Sequence, residues 1–178
     1  MAFTRRSEDT RGAILAAARQ RFAADGYDRA TIRAVAADAG IDPSMVMRYY
    51  GSKEGLFAAA ADVDLRLPDI AGLPRDRIGE ELVRHFVGRW DDDSTLIVLL
   101  RSAVTHDGAA ARLRTIFTDQ VTALTGDPAR AALVASQMLG IALCRYVLEF
   151  PPMVALDADT LAAAVGPTIQ RYATAPLG

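Results

Sequence analysis

The chain has 178 residues, 51% of them apolar and 24% charged, with a net charge of −2. That length suits one or two small domains with cores of their own, and the alanine-rich composition predicts a soluble, helix-rich protein with few strand-forming runs. No apolar run reaches the ~18 residues of a membrane span and Met1 to Thr10 lacks the apolar segment of a signal peptide, so a cytoplasmic protein without membrane association is expected. The charge is unevenly spread, with +3 in residues 1–53 and −5 in residues 54–178. A polyanion would therefore be approached by the amino-terminal end.

In chain order, Arg5, Arg6 and Arg11 precede or open a first helix over about 7–25, which places Ile14, Leu15, Ala18 and Phe22 on one face. The arginines are either a solvated end or contacts to DNA backbone or minor groove. Gly26 ends this helix and Tyr27 folds back on it. Thr31 to Gly51 then reads as two short helices joined by a tight turn. Ala36 must be small where the two cross, Gly40 suits the left-handed end of the first, and Asp42 caps the second with Pro43 in its first turn. This is the pattern of a helix-turn-helix, and it predicts that the second helix, Asp42 to Tyr50, is free to enter a major groove.

On that helix Ser44, Met45, Met47, Arg48 and Tyr49 fall on or near the outward face. Arg48 suits a bidentate contact to guanine, and Met45 and Met47 suit either thymine methyl groups or packing. Lys53, the only lysine in the chain, opens a fourth helix where charge and helix dipole both favour a phosphate. The fourth helix is expected over about 52–67, ending before Pro68. A linker at 68–74 follows, and then helices at about 75–90, 94–106, 108–125, 128–149 and 157–173, each bounded by Asp, Gly or Pro.

Leu96 to Leu100 is apolar on all sides, so its helix is expected at the buried centre of a second domain. Phe86, Trp90, Val104, Phe117 and Met138 are placed around it, as core or as the lining of a cavity. The helix at 128–149 has two apolar faces, one with Ala131, Val134, Ala135, Met138, Ile141 and Ala142, the other with Leu133, Gln137, Gly140, Cys144 and Leu148. The last helix adds Leu161, Val165 and Ile169. Two faces need two partners, which a two-fold four-helix bundle supplies, with Ala131, Ala135, Met138, Ile141, Ala142, Leu161, Val165 and Ile169 expected at the dimer interface; the alternative is a thicker monomer core. His85 and His106 lack metal-ligand neighbours, Cys144 has no disulfide partner, and no catalytic constellation or cofactor loop is legible. Neither an enzyme, a metal nor a cofactor is expected.

Ile14-Leu15-Ala16-Ala17-Ala18, Phe22-Ala23-Ala24-Asp25-Gly26-Tyr27, Thr31, Val35-Ala36, Ala39-Gly40-Ile41, Tyr49-Tyr50 and Lys53-Glu54 with Leu56 resemble the amino-terminal pattern of the tetracycline-repressor (TetR) family, in order and spacing. Met47 stands where that family usually has tyrosine and Ser44 where glycine is common, departures that bear on the operator sequence. The resemblance implies an all-α protein: a helix-turn-helix DNA-binding domain at 1–52, a connecting helix and linker at 53–74, and an effector-binding and dimerisation domain at 75–178. It implies DNA contacts from Thr31, Arg33, Ser44, Met45, Met47, Arg48, Tyr49 and Lys53, with Thr31 and Tyr49 on phosphates. It also implies an apolar effector site, for which Phe86, Trp90, Leu100, Val104, Phe117 and Met138 are the candidates.

The resulting expectation is a repressor that binds a palindromic operator in double-stranded DNA as a homodimer and is released by a small hydrophobic effector. The alternatives are a helical ligand-binding protein or enzyme that merely contains a helix-turn-helix, and an architectural DNA-binding protein without an effector.

Overall fold

The computed structural model describes residues 2–175, with side chains from Ser7 onward. The side chains of Arg5 and Arg6 lie outside the described residues. Among the described residues there is no strand, and the helices are α1 (Ala2–Arg29), α2 (Ile32–Ala39), α3 (Pro43–Tyr50), α4 (Lys53–Ala60), α5 (Ile78–Asp92), α6 (Ser94–Ala103), α7 (Asp107–Thr125), α8 (Pro128–Ala142), α9 (Pro151–Val154) and α10 (Ala158–Thr174). A 3₁₀ turn at Ile70–Gly72 and a π-helical turn at Leu143–Val147 complete the set. The all-α expectation holds.

Two compact units form. One takes the chain up to Val63 together with Val98–Arg112, the other Asp64–Ile97 together with Leu113 onward. These limits differ from the expected ones at 52 and 74. In particular, α6 from Val98 on belongs with the first unit, so it is not simply the centre of a second domain.

In the first unit each joint is set by a capping side chain or a glycine. Thr31 Oγ1 accepts from the Ala34 N–H at 3.1 Å to start α2. Gly40, at φ 67°, ends that helix in the left-handed region, and Ile41 N–H returns to the Ala36 carbonyl at 2.9 Å. Asp42 then accepts from Ser44 N–H at 2.8 Å to open α3, and Ser52 accepts from Gly55 N–H at 3.0 Å to open α4. Caps of this kind stabilise by about 1 kcal/mol each.

Between these joints Ile14, Ala18 and Phe22 of α1 meet Val35 and Ala36 of α2, Val46 of α3, and Leu56 and Phe57 of α4 in one buried core. Phe22 and Tyr27 both set their rings edge-on to Phe57, with centroids 5.0 Å away. Gly26, at φ 75°, breaks the run of α1, but the helix resumes as far as Arg29 instead of ending at 25. The backbone bends there, which brings Tyr27 back onto the core.

The second unit is built on α5, α8 and α10, with α7 beside them. Backbones of α5 and α10 approach closely at Gly79 and Gly166, both buried. A Cβ on Gly79 would collide with the Gly166 carbonyl oxygen, and one on Gly166 would lie 2.9 Å from Glu80. Gln170 bridges the gap, accepting from Gly79 N–H at 2.8 Å and donating to the Arg75 carbonyl at 2.7 Å.

Two helices end earlier than their sequences suggest. In the first, α4 stops at Ala60 rather than 67. Its end is held by side chains from elsewhere in the first unit: Arg19 Nε donates to the Ala60 carbonyl at 3.0 Å, and Arg112 binds the Ala61 carbonyl and the Asp62 carboxylate. Beyond it, within the second unit, Leu65 N–H donates to Gln120 at 2.8 Å, His85 Nε2 donates to the Leu65 carbonyl at 2.9 Å, and Arg66 takes φ 51°. An N–H given to a tertiary acceptor, as Leu65 gives its own to Gln120, cannot close a helical bond. At the end of α8, Arg145 gathers the carbonyls of Met153, Val154 and Leu156, the last at 2.6 Å, and the helix rewinds into the π turn before Glu149, at φ 51°.

The residues expected at a dimer interface sort by face. Ala131, Met138, Ile141, Ala142, Leu161 and Ile169 are buried within the chain itself, so they are core, not interface; Ala135 and Val165 are half-buried. On α8 the exposed face carries Leu133, Ser136 and Gly140, and on α10 Ala163, Ala164 and Pro167.

Candidate nucleic-acid interface and apolar cavity

In the first unit, α3 turns Val46 into the core at 0% exposure and leaves Ser44, Met47 and Arg48 exposed, with Met45 and Tyr49 half-buried. Eight residues make a rod about 12 Å long, which suits a major groove about 12 Å wide. Thr31 and Arg33 are exposed at the start of α2. Tyr49 is held against α1: its hydroxyl is 3.3 Å from Ser7 Oγ, and the Arg11 guanidinium lies 5.1 Å from its ring centre. Arg11 is thereby fixed beside α3, a placement that no sequence spacing reveals.

Lys53 is more tightly tied than its sequence suggests. Its Nζ donates to the Asp28 carbonyl at 3.0 Å and lies 4.5 Å over the Tyr27 ring. Tyr27 donates to Glu54 at 3.0 Å and packs its ring at a tilt against His106, whose Nε2 is 3.0 Å from Asp28 Oδ1 without the alignment of a hydrogen bond. His106 thus belongs to the support of the first unit. Arg21 makes paired bonds to Asp38 at 2.6 and 2.7 Å, tying α1 to α2. At a separation of 17 positions, that pair carried no signal in the sequence.

Carboxylates frame the joints in their ionised form. Bonds from the Ser44 side chain and N–H hold the Asp42 carboxyl below the usual carboxylate range. The Arg21 guanidinium does the same for Asp38. For Glu54 the cause is its own backbone N–H, joined by the Ser52 and Tyr27 hydroxyls.

The second unit holds a small, partly open apolar cavity of about 40 Å³. Phe86, Trp90, Phe117 and Met138 line it, as do Leu65, His85 and Arg89. Leu100 and Val104 do not. Leu100 is buried outside the lining, and Val104 is 77% exposed because α6 ends at Ala103 and the chain turns outward there. Trp90 is 1% exposed, between Phe86 at 5.3 Å and a stacked Tyr146 at 5.7 Å. Burial and a bond to Asp91 push the Tyr146 hydroxyl well above the usual range, so it remains protonated. The cavity is small and partly open, so a drug-sized guest must displace lining side chains.

A capped helix pair braced by α1 and α4, with an exposed arginine on the second helix of the pair, defines a helix-turn-helix DNA-binding regulator. Residues 14–60 match the family described as bacterial regulatory proteins, tetR family, and residues 76–173 match the tetracyclin repressor-like C-terminal domain. A TetR-family regulator from Streptomyces coelicolor A3 is 34% identical, with a TM-score of 0.66 over 93% of this chain and 95% of that one. Two further solved structures share the fold at lower identity. The fatty acid degradation regulator FadR from Bacillus halodurans is 13% identical with a TM-score of 0.68, over 89% of this chain and 97% of its own. A mutant of the HlyIIR protein is 16% identical with a TM-score of 0.58, over 90% of this chain and 98% of its own. No curated protein matches the chain. The chain belongs to the TetR family, and it is a DNA-binding transcriptional regulator.

Proposed function

We propose that this regulator is a homodimeric repressor that holds a palindromic operator through two copies of α3 and is released when a small hydrophobic effector opens the cavity of the second unit. The observation that carries the reading is the pairing, in one chain, of an exposed reading face on α3 with a small apolar cavity elsewhere. Arg48 reads guanine, Thr31, Arg33, Tyr49 and Lys53 hold phosphates, and Ser44, Met45 and Met47 complete the base contacts. The dimer forms through the outward faces of α8 and α10, around Leu133, Gly140, Ala164 and Pro167, because the faces first expected there are consumed by the chain's own core. Two readers then meet successive major grooves ~34 Å apart.

An effector lodged against Phe86, Trp90, Phe117 and Met138 binds the DNA-incompetent state more tightly, and operator DNA weakens the effector by the same factor. Both α6 and α7 contribute residues to both compact units, which supports a route for that coupling. This is a binding protein without catalytic chemistry. The test is a mobility-shift assay with fragments flanking its own gene, followed by a compound screen read by DNA release and by Trp90 fluorescence. Retention of a fragment with two-fold symmetry, and release accompanied by a change in Trp90 emission, is expected. If no fragment is retained, the regulator reading fails at the operator; if DNA is released with Trp90 unaffected, the cavity is not the effector site.

A further inference from the structure

One residue that lines the cavity carries a buried side-chain N–H whose hydrogen bonding is incomplete. Arg89, on α5, is 14% exposed at its side chain, and its Nη2 donates to the Asp64 carbonyl at 2.9 Å and to Asp93 Oδ2 at 3.2 Å. Those bonds fix the guanidinium plane. Its Nε–H is fully buried and has no acceptor. An unmet donor on a charged, buried group is strongly unfavourable, so its retention beside an apolar void needs an occupant that accepts a hydrogen bond. His85 also lines the cavity, with its Nε2 already donating to the Leu65 carbonyl.

We propose that the effector is a hydrophobic acid whose carboxylate accepts the Arg89 Nε–H, while its apolar body displaces the side chains of Phe86, Trp90 and Phe117. This inference rests on the effector reading of the cavity and names the chemical class it takes. Arg89 already shares charge with Asp93, and Asp93 is itself ionised: burial raises its carboxyl, but bonds from the Thr95 side chain and N–H and from Arg89 outweigh that and hold it below the usual range. Asp93 engages the Nη2 end, at 30% exposure, whereas Nε faces no acceptor. The guanidinium is charged in either case, but only a carboxylate adds an opposite charge to the bond, which favours an acid over its ester.

The experiment titrates the full chain, free of DNA, with hexanoate, decanoate and 2-naphthoate, each against its methyl ester, reading Trp90 fluorescence and calorimetry. The ester keeps the apolar body and a carbonyl oxygen but removes the charge. At least one acid binding tenfold or more tighter than its ester is expected, with that ratio falling towards one in R89Q. Equal affinity of acid and ester, binding of esters only, an acid preference that persists in folded R89Q, or no binding by any probe overturns the proposal. Because the acid-to-ester ratio is measured on the wild-type chain, an R89Q protein that fails to fold leaves the test intact. Operator release by the esters alone, with a change in Trp90 emission, leaves the effector cavity standing and removes only the acid. A chain that selects acids but retains no DNA fragment removes the repressor reading instead.

Discussion

Arg48 and Lys53 look alike as basic residues near a groove, yet their surroundings separate what each substitution does. Arg48 is exposed on α3, so Arg48→Ala leaves thermal stability near wild type, costs ~1–3 kcal/mol at the operator and flattens sequence preference. Competition binding with single-base operator variants checks this. Lys53→Ala weakens all sequences alike and lowers the salt slope by about one per subunit. It also lowers the melting temperature, since the Asp28 carbonyl and Tyr27 ring lose their cation. A wild-type salt slope in that variant would remove the phosphate contact and leave Lys53 as a structural brace.

The depressed carboxyls of Asp38, Asp42 and Glu54 set the acid limit of the first unit. Their folded values lie below the unfolded ones, so their stabilisation is complete above the ordinary carboxylate range, about pH 4, and is lost as pH falls through the folded values. Melting temperature therefore stays level from neutral pH down to about 5 and drops below about 4. Asp42→Asn keeps an acceptor at the cap without the titrating charge, and its drop should be shallower.

At the scale of elements, the Gly79–Gly166 crossing holds α5 to α10. Gly79→Ala forces the two backbones apart because the added methyl meets a carbonyl oxygen rather than a side chain that can turn away. Overpacking of this kind costs about 1–3 kcal/mol, well beyond the small helix-propensity gain of alanine. Thermal unfolding measures it, and Gly88→Ala, on an exposed part of the same helix with open space around it, serves as the opposite case and should be neutral or stabilising.

For the whole molecule, dimerisation through the outward faces makes a sharp contrast between two charge insertions. Leu133→Arg should give a folded monomer with much weaker operator affinity, because one half-site supplies too few contacts. Ile141→Arg, at 4% exposure, places an unpaired charge in the chain's own core and should unfold it. Light scattering with circular dichroism separates the outcomes. A Leu133→Arg protein that remains dimeric moves the interface off this face.

Local chemistry made the first unit legible in the sequence. Thr31, Gly40, Asp42, Pro43 and Ser52 each act on a neighbour within three residues, so caps, turn and the reading face of α3 could be read without knowing what else the chain does. The helix start at 128 followed from the same short-range punctuation, the start expected at 157 lies one residue from the observed Ala158, and the family was legible as a resemblance of motifs. What only the tertiary structure decided depends on partners far apart in the chain: the early end of α4, held by Arg19 and Arg112; the bracing of Lys53 by Asp28; the division of α6 between two units. The two apolar faces of α8 posed the same limit. Periodicity shows that a face is apolar, but a helix buries whichever face its own chain can cover first, and here α5 and α10 cover the one with Met138 and Ile141. Arg89 was likewise silent in the sequence, since an arginine four residues before an aspartate is ordinarily a surface pair, and only its place beside the cavity, with a buried Nε–H left without an acceptor, makes it a candidate for binding.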